Sequence, residues 1–89
     1  MGEEAAQDGD EALVAGTLEY LARAIVSNPD AVSVEVVPGP ERTTLRLHVD
    51  PDDLGRVIGK GGRVARAIRQ VTRAAATRAD VHVFVEITG

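Results

Sequence analysis

The sequence contains no cysteine, so disulfide bonds, thiolate-based zinc sites and a thiol nucleophile are excluded. Tryptophan is absent too, and Tyr20 and Phe84 are the only aromatic residues. The chain therefore lacks the aromatic side chains on which many single-strand binders stack successive bases. No apolar run approaches the ~20 residues that span a bilayer, and the acidic first ten residues do not have the pattern of a secretory signal. We expect a cytoplasmic protein without membrane contact.

Catalytic and metal-binding patterns are also missing. No serine or threonine has a base placed beside it, and His48 and His82 alone do not make a metal site. Spacing typical of acid–base catalysis is not found among the carboxylates Glu35, Glu41, Asp52, Asp53 and Glu86. We expect a protein that is not an enzyme and that uses no cofactor and no metal.

Positive charge is scarce overall but concentrated in the C-terminal part of the chain. The formal net charge is −4. Residues 1–54 carry 12 acidic and 3 basic side chains, a net of −9, whereas residues 55–89 carry 7 basic and 2 acidic ones, a net of +5. A phosphate backbone responds to the potential within about a Debye length, roughly 8 Å at physiological salt, and not to the sum over the chain. The asymmetry favours nucleic-acid contact through the C-terminal part.

The 89 residues are enough for one domain with a thin core, which dimerisation would enlarge. Residues 1–9 are charged, small and without periodicity, which predicts a disordered acidic tail ahead of a domain over residues 10–89. Asp10 is the expected cap of a first helix, which ends at Ser27-Asn28-Pro29 because the residue before a proline avoids helical angles. The apolar positions of this helix recur every three or four residues and are Leu13, Val14, Leu18, Leu21, Ile25 and Val26.

Two stretches with a period of two follow the first helix. Residues 31–37 and 42–49 alternate apolar and polar side chains, and the turn Pro38-Gly39-Pro40-Glu41 between them predicts an antiparallel hairpin. A third strand is predicted over residues 81–87. By alternation, His48, His82 and Phe84 fall on the outward face, and the two histidines are expected to be neighbours if their strands pair.

Two helices separated by glycines connect the second strand to the third. Asp50 and Pro51 start a short helix that reaches Val57 or Ile58, and a second helix follows over about residues 63–77. At roughly 100° per residue, the expected inward positions of the second helix are Val64, Ala67, Ile68, Val71, Ala74 and Ala75. Its opposite face carries Arg63, Arg66, Arg69 and Arg73.

The order of elements is helix, strand, strand, helix, helix, strand. A long helical crossover favours parallel pairing of the two strands that it joins, whereas the first two strands form the hairpin. All three strands alternate, so one face of the sheet meets the helices and the other is more polar. The sequence therefore predicts an α+β fold with a three-stranded mixed sheet covered by helices on one face.

The segment Gly59-Lys60-Gly61-Gly62 has the composition of an anion-binding corner. Glycine permits tight backbone angles and removes the Cβ atoms that would keep a phosphate at a distance. The start of the next helix adds unpaired N–H groups, and Lys60 and Arg63 add full positive charges. The segment does not match the pattern of a nucleotide-binding P-loop, because Lys60 is followed by glycine and the segment follows a helix and not a strand.

Side chains on both sides of the corner complete the predicted site. Val57 and Ile58 are expected to form an apolar groove floor on which bases lie. From charge and helix phase, phosphate contacts are expected at Arg56, Arg63 and Arg66. Arg69 and Arg73, farther along the helix, are interpreted as a solvated face.

The pattern Val57-Ile58-Gly59-Lys60-Gly61-Gly62, followed by apolar Val64 and Ile68, resembles the signature loop of the KH family. The resemblance covers about residues 11–88, and the extra helix and strand before the core unit are similar to the bacterial type II arrangement. It implies that residues 59–62 clamp about four nucleotides of single-stranded RNA.

The small size resembles the stand-alone bacterial KH proteins. That resemblance implies a post-transcriptional regulator or RNA chaperone connected with cell elongation, division, cell shape and cell-wall biogenesis. It also implies a homodimer, a heterodimer with a larger Jag-type (KhpB) RNA-binding protein, or both.

Two other functions remain open from the sequence. The same scaffold can serve as a protein-interaction adaptor whose main role is dimerisation. A ribosome-assembly factor shares the fold class, but some such factors have a disrupted glycine loop, whereas this loop is intact. The sequence does not distinguish single-stranded DNA from RNA as the ligand, because no residue identifiably reads the 2′-hydroxyl.

Overall fold

The computed structural model describes the backbone of residues 2–89 and the side chains of residues 10–89. The helices and strands, in chain order, are α1 Gly2–Ile25, β1 Ser33–Val37, β2 Thr43–His48, α2 Leu54–Ile58, α3 Arg63–Arg78 and β3 Val83–Thr88. Short 3₁₀ turns lie at Pro29–Ala31, Pro51–Asp53 and Lys60–Gly62. This order confirms the predicted α+β fold.

The first helix starts ahead of its predicted cap. Helical backbone is assigned from Gly2, so Asp10 lies inside α1 and does not cap it. The disordered tail predicted for residues 1–9 falls where side chains are outside the described part of the chain, and it stays a prediction. The end of the helix is as expected, because Pro29 opens a 3₁₀ turn soon after Ile25.

The three strands form one mixed sheet in the order β1–β2–β3. β1 and β2 are antiparallel, with Val36 opposite Leu45, and β2 and β3 are parallel, with Leu45 opposite Val85. The connection between the parallel strands contains α2 and α3, the kind of crossover that parallel pairing requires. Both predicted pairings are confirmed.

The core lies between the sheet and the helices. Its centre is formed by Leu18 of α1, Leu45 and Leu47 of β2 and Val57 of α2, each without solvent exposure. Burial of one such side chain contributes about 1.5–3 kcal/mol. α2 is a short helix held by Val57, so the same residue that completes the core also fixes the position of the glycine segment that follows.

The third helix buries a stripe that agrees only in part with the predicted one, since Ile68 is buried and Val64 and Ala75 pack partly buried against the core. The buried residues are Ala65, Ile68, Thr72 and Ala76. The Thr72 hydroxyl donates a hydrogen bond to the Ile68 carbonyl oxygen at 2.7 Å, so its polar group is satisfied inside the core. Val71 is 48% exposed, and Ala67 and Ala74 are exposed as well. The prediction that these three residues point inward is wrong.

The sheet face away from the helices carries a row of charges across the strands. Arg46 of β2 forms ion pairs with Glu86 of β3 at 2.9 Å and with Glu35 of β1 at 3.3 Å. The hydrogen bond to Glu86 and the charges of both glutamates raise the pKa of Arg46 above its ordinary value. On this face, the Arg46 guanidinium therefore lies between two carboxylates.

The two histidines are not neighbours. His48 lies opposite Thr88 at one end of the β2–β3 pair, whereas the carbonyl of His82 accepts a hydrogen bond from the Thr43 N–H at the other end. The expectation is wrong because alternation fixes the face of a residue and not its register. Within the described residues, no group of three or more potential ligands is placed to hold a metal, and no helix is long and apolar enough to cross a membrane.

Candidate nucleic-acid interface

Asp53 fixes the start of the corner formed by α2 and α3. Asp50 caps the preceding 3₁₀ turn by accepting a hydrogen bond from the Asp52 N–H at 2.9 Å. The Asp53 carboxylate instead accepts from the N–H groups of Ser27 at 3.1 Å and Asn28 at 3.0 Å, and from the Asn28 side-chain amide at 3.1 Å. These hydrogen bonds lower the pKa of Asp53, and the bond from the Ser27 N–H has the largest effect. The start of α2 is thereby tied to the segment after α1.

Gly59 ends α2 and brings it against the first turn of α3. Its φ of +75° lies in the region that favours glycine. A Cβ atom at this position would lie 2.9 Å from Cβ of Val64 and 3.0 Å from its backbone nitrogen. Approaches this close do not occur between real atoms of this kind, so only glycine permits the tight contact between the two helices.

Gly61 and Gly62 turn the chain through left-handed angles, with φ of +63° and +76°. Among the described residues, no atom beyond the chain neighbours lies within 4 Å of the place where a Cβ of Gly61 would stand. Lys60 and Arg63 are exposed on either side. The segment is therefore a projecting turn that is open to solvent, as the sequence predicts, and not part of an unbroken helix.

The N-terminus of α3 adds the positive end of a helix dipole behind this turn, and the N–H groups of Gly62 and Arg63 donate to the carbonyl oxygens of Gly59 and Lys60. Within the described chain, no side chain caps the helix, because Gly62 occupies the N-cap position. The Arg66 guanidinium folds back and donates to the carbonyl oxygen of Gly61 at 3.0 Å. Lys60, Arg63 and Arg66 thus surround a helix start whose dipole is positive. This arrangement is suited to hold an anion such as a backbone phosphate.

The predicted apolar floor is only half present. Ile58 is 40% exposed beside the turn, whereas Val57 has no exposed surface. The prediction that Val57 lines the groove is therefore wrong, because its side of α2 packs into the core. Arg56 donates to the Ser27 hydroxyl at 2.5 Å and so lies toward the connection after α1. The structure brings Arg66 to the turn but directs Arg56 elsewhere, and a phosphate contact by Arg56 stays a prediction.

The sequence interpretation missed a contact between α3 and β3. Arg69 is partly buried, and its Nε donates to the carbonyl oxygen of Val85 in the edge strand at 3.4 Å. Arg66, Arg69 and Arg73 follow each other at spacings of three and four residues, which places them on one face of α3. The spacing was readable in the sequence, but the position of β3 beneath this row was not.

The corner formed by α2, the glycine turn and α3 on a three-stranded sheet occurs in known proteins. A sequence model described as the KH domain of KhpA/KhpB matches residues 15–87. The chain belongs to the KhpA/KhpB KH-domain family. This confirms the resemblance to the KH family that the glycine loop and the order of elements indicate. Membership also confirms the expectation that the chain is not an enzyme.

Members of the KhpA family cover most of the chain. RNA-binding protein KhpA of Caldanaerobacter subterraneus subsp. tengcongensis is 48% identical over 70 residues, which are 79% of this chain and 93% of that protein. RNA-binding protein KhpA of Clostridium acetobutylicum is 49% identical over the same length. RNA-binding protein KhpA of Mycobacterium tuberculosis is 50% identical over 58 residues, which are 65% of this chain and 72% of that protein.

Solved structures show the same KH fold inside a larger protein. Era, in complex with MgGDPNP and nucleotides 1506–1542 of 16S ribosomal RNA, aligns with a TM-score of 0.56 at 21% identity. The alignment covers 84% of this chain and 29% of the Era chain. Aquifex aeolicus Era bound to GDP.AlF4- gives the same TM-score at 18% identity. The KH domain described here is thus similar in fold to less than a third of Era.

Proposed function

We propose that this KH domain is a non-catalytic protein that holds single-stranded RNA at the turn Gly59-Lys60-Gly61-Gly62. The observation that carries the proposal is the exposure of this turn, with left-handed glycines, cationic Lys60 and Arg63, and the start of α3 behind it. Phosphates must approach backbone N–H groups closely to be bound by them, and glycine leaves that approach open. Ile58 provides adjacent apolar surface for a base.

Two comparisons support RNA as the ligand. The KhpA relatives, at 48–50% identity, are RNA-binding proteins, and the Era complex contains a segment of ribosomal RNA. The cations around the turn are suited to phosphates, and contacts to phosphates fix position without reading sequence. The protein therefore binds RNA with low sequence specificity, and binding weakens steeply as salt is raised.

Assembly raises the affinity that a single acidic chain provides. The protein acts as a homodimer, or with a larger Jag-type (KhpB) RNA-binding partner, so that two RNA sites act together through effective concentration. Apolar side chains on the helical surface support this proposal: Leu13 and Tyr20 of α1 are 70% and 75% exposed, and Val71 of α3 is 48% exposed. Leu13 and Ala75 line a common groove between the two helices.

The cellular role follows from the resemblance to stand-alone KH proteins. The protein is a post-transcriptional regulator or RNA chaperone of the cytoplasm, with effects on cell elongation, division, cell shape and cell-wall biogenesis. A protein-interaction adaptor is the second candidate, and the exposed apolar residues of α1 and α3 favour it. The intact turn at residues 59–62 counts against a ribosome-assembly factor that has lost its glycine loop.

The double variant Lys60→Asp with Gly61→Asp tests RNA binding. Both residues are exposed, Gly61 has room for a side chain, and aspartate tolerates left-handed angles, so the variant is expected to fold. Fluorescence anisotropy with a labelled single-stranded RNA at low salt should show a loss of affinity of roughly tenfold or more, because two carboxylates face the phosphates.

A matched variant, Lys60→Gln with Gly61→Asn, keeps the shape and removes the negative charges. It should bind more weakly than the wild type but clearly better than the aspartate variant. Wild-type affinity in a folded aspartate variant, checked by circular dichroism, contradicts RNA binding at this turn.

Light scattering tests the dimer that the adaptor function requires and that the RNA-binding proposal also uses. A dimer that survives nuclease treatment shows that assembly does not depend on RNA. Val71→Lys or Tyr20→Lys should reduce the measured mass to that of a monomer, because a charge would be buried in the apolar dimer contact. An unchanged dimer in both variants places the contact elsewhere.

A further inference from the structure

β1 is an edge strand, and its outer side is unpaired in the described part of the chain. The sheet order places it beside β2 only, and no other backbone group of the described residues pairs with it. Its sequence, Ser-Val-Glu-Val-Val over Ser33–Val37, contains neither the lysine nor the proline that often block an open edge. At the opposite edge of the sheet, the Arg69 guanidinium donates to the Val85 carbonyl oxygen of β3. β1 is therefore the edge that a further strand can join.

Val36 gives this edge an apolar surface on the helix side of the sheet. It lies opposite Leu45, which is fully buried, and residues directly opposite each other in antiparallel strands point to the same face. Val36 nevertheless keeps 38% of its surface exposed. The inward side chains of a strand added to β1 would cover it, and this burial of apolar surface favours the addition.

α1 runs alongside β2 in the same direction. In the first half of α1, Glu11 accepts a hydrogen bond from the hydroxyl of Thr43, the first residue of β2. Beyond the end of α1, the Ser27 N–H donates to the carboxylate of Asp53, which follows β2. These two contacts fix the level of each helical residue over the sheet.

Ala15 of α1 lies level with Val36 and leaves room beside the edge because its side chain is small. Leu45 is two residues beyond Thr43, about 7 Å along β2, and Val36 is its partner in β1. Ala15 is four residues beyond the helical position that contacts Thr43, about 6 Å along α1. At roughly 100° per residue, Ala15 points about 200° away from Leu13, which lines the groove toward α3. The β1 edge and this flank of α1 therefore present apolar surface side by side.

Negative charge surrounds this edge. Glu35 lies on the outer face of β1 with 52% of its side chain exposed, and Glu19 lies on the same flank of α1 as Ala15. The cations beside these glutamates are already paired, since Arg23 contacts Glu19 and Arg46 contacts both Glu35 and a second glutamate in β3. Residues 1–54, which include α1 and β1, carry a net charge of −9. A basic segment is therefore complementary in charge to this edge.

A second copy of the chain fits the same edge poorly. Two β1 strands that pair antiparallel about the middle of the strand bring Glu35 of one copy opposite Glu35 of the other. Like charges directly opposite each other destabilise a strand pair. A strand that carries lysine or arginine at this position replaces the repulsion by attraction.

We infer that the outer side of β1 binds an extended basic segment of another protein by strand addition. Backbone hydrogen bonds to β1 supply affinity, and the alternate side chains of the segment supply specificity. Those on the helix side are apolar and cover Val36 and Ala15, whereas those on the outer side are lysine or arginine and lie beside Glu35. β2 separates this site from the β3 edge, and the inference does not depend on RNA binding at the glycine turn.

A labelled peptide of about seven residues, in which lysine and valine alternate, tests the inference. Fluorescence anisotropy should show saturable binding to the wild-type chain. A peptide of the same composition, with its lysines and valines in two blocks, should bind roughly tenfold more weakly, because its charges and apolar groups do not separate onto two faces of a strand. Methylation of the backbone nitrogens along one edge of the alternating peptide should abolish binding, and methylation along the other edge should preserve it, because only one edge faces β1.

Glu35→Lys and Glu86→Lys form a matched pair of variants. Both glutamates pair with Arg46 and have 52% and 45% of their side chains exposed, but only Glu35 belongs to β1. Glu35→Lys should weaken binding of the alternating peptide by roughly tenfold, and Glu86→Lys by less than about twofold. A peptide with glutamate in place of lysine should bind the Glu35→Lys variant better than the wild type, a gain that misfolding does not produce.

The outcomes separate strand addition from general attraction of charge. Loss of binding in Glu35→Lys alone, together with dependence on one backbone edge of the peptide, supports the inference. Absence of binding to the wild type, equal losses in both glutamate variants, or equal binding of the alternating and block peptides overturns it. Light scattering of a Val36→Lys variant without peptide tests the other occupant. An unchanged mass agrees with the inference, whereas a mass below that of the wild type assigns the edge to a second copy and overturns it.

Discussion

At the scale of single residues, Asp53 shows how a carboxylate outside the candidate site helps to determine the geometry of that site. Only 3% of its surface is exposed, and its two oxygens accept three hydrogen bonds from Ser27 and Asn28. α2 begins at the next residue and leads directly to the turn. The hydrogen bonds therefore fix the orientation of α2, and through it the position of Gly59.

Replacing Asp53 by Asn should lower the free energy of unfolding. Asparagine has one acceptor oxygen where the carboxylate has two, so donors at Ser27 and Asn28 lose a partner. The pKa of Asp53 is lowered in the folded state, so its stabilisation is present above the unfolded-state pKa of about 3.9 and is lost as pH falls through the lower folded value. Urea unfolding at about pH 7 and about pH 3 measures both effects.

The difference in stability between wild type and the Asp53→Asn variant should be larger at about pH 7 than at about pH 3. Asp52→Asn is the matched control, because this neighbouring side chain is exposed. A difference of the same size at both pH values contradicts the assigned role of the carboxylate charge.

Alanine substitutions at Gly59 and Gly61 should lower the free energy of unfolding by different amounts, because the added methyl groups meet different surroundings. Gly61→Ala meets open space and carries only the cost of a left-handed angle, about 1–2 kcal/mol. Gly59→Ala adds an overlap with Val64 to a backbone conformation, φ +75° and ψ 170°, that essentially only glycine adopts, so its cost should be about 2–4 kcal/mol. Thermal unfolding of the two single variants checks the order, and equal melting temperatures would show that Val64 yields without cost.

At the scale of elements, the sequence predicts the fold well because its signals are local. Period-two stretches give the three strands, Pro29 ends α1, and the glycines separate α2 from α3. The structure confirms these elements within a few residues. Parallel pairing of β2 with β3 was also predictable, because a helical connection between them leaves that arrangement as the favoured one.

The rotation of α3 was not predictable from hydrophobicity. Val71 is apolar and half exposed, whereas Thr72 is buried because its hydroxyl bonds to the helix backbone. A polar residue whose hydroxyl bonds to its own helix backbone costs little in a core. Packing of α3 against α1 and the sheet therefore determines which of its residues are buried. The same rotation places Arg69 over β3. The site residues near the turn were predictable from composition, but the contact with β3 and the burial of Val57 depend on tertiary packing.

Replacing Arg46 by Ala should destabilise the sheet through its outer face. Glu35 and Glu86 lie on opposite sides of Arg46, and without it the two carboxylates repel across the strands. Melting temperature should fall by a few degrees, and adding Glu86→Gln should recover part of the loss. If the double variant is as unstable as Arg46→Ala alone at both high and low salt, this result contradicts an electrostatic origin.

At the scale of the whole molecule, the segregation of charge supports the proposed position of RNA at the glycine turn. Residues 55–89 have a net charge of +5 and include the turn and α3, whereas residues 1–54 have a net charge of −9. Potentials of opposite sign attract a polyanion to the basic part of the chain and repel it from the acidic part. Overall acidity is thus compatible with RNA binding, provided that the strand stays within a Debye length of α3.

Titration of ¹⁵N-labelled protein with single-stranded RNA tests most directly whether the glycine turn is the binding site. We expect the largest changes in amide chemical shift at Gly59, Lys60, Gly61, Gly62 and Arg63. Amides of the outer sheet face, at Glu35, Arg46 and Glu86, should change little. Shifts that concentrate on that sheet face, or RNA binding that leaves residues 59–63 unchanged, would contradict binding at the turn.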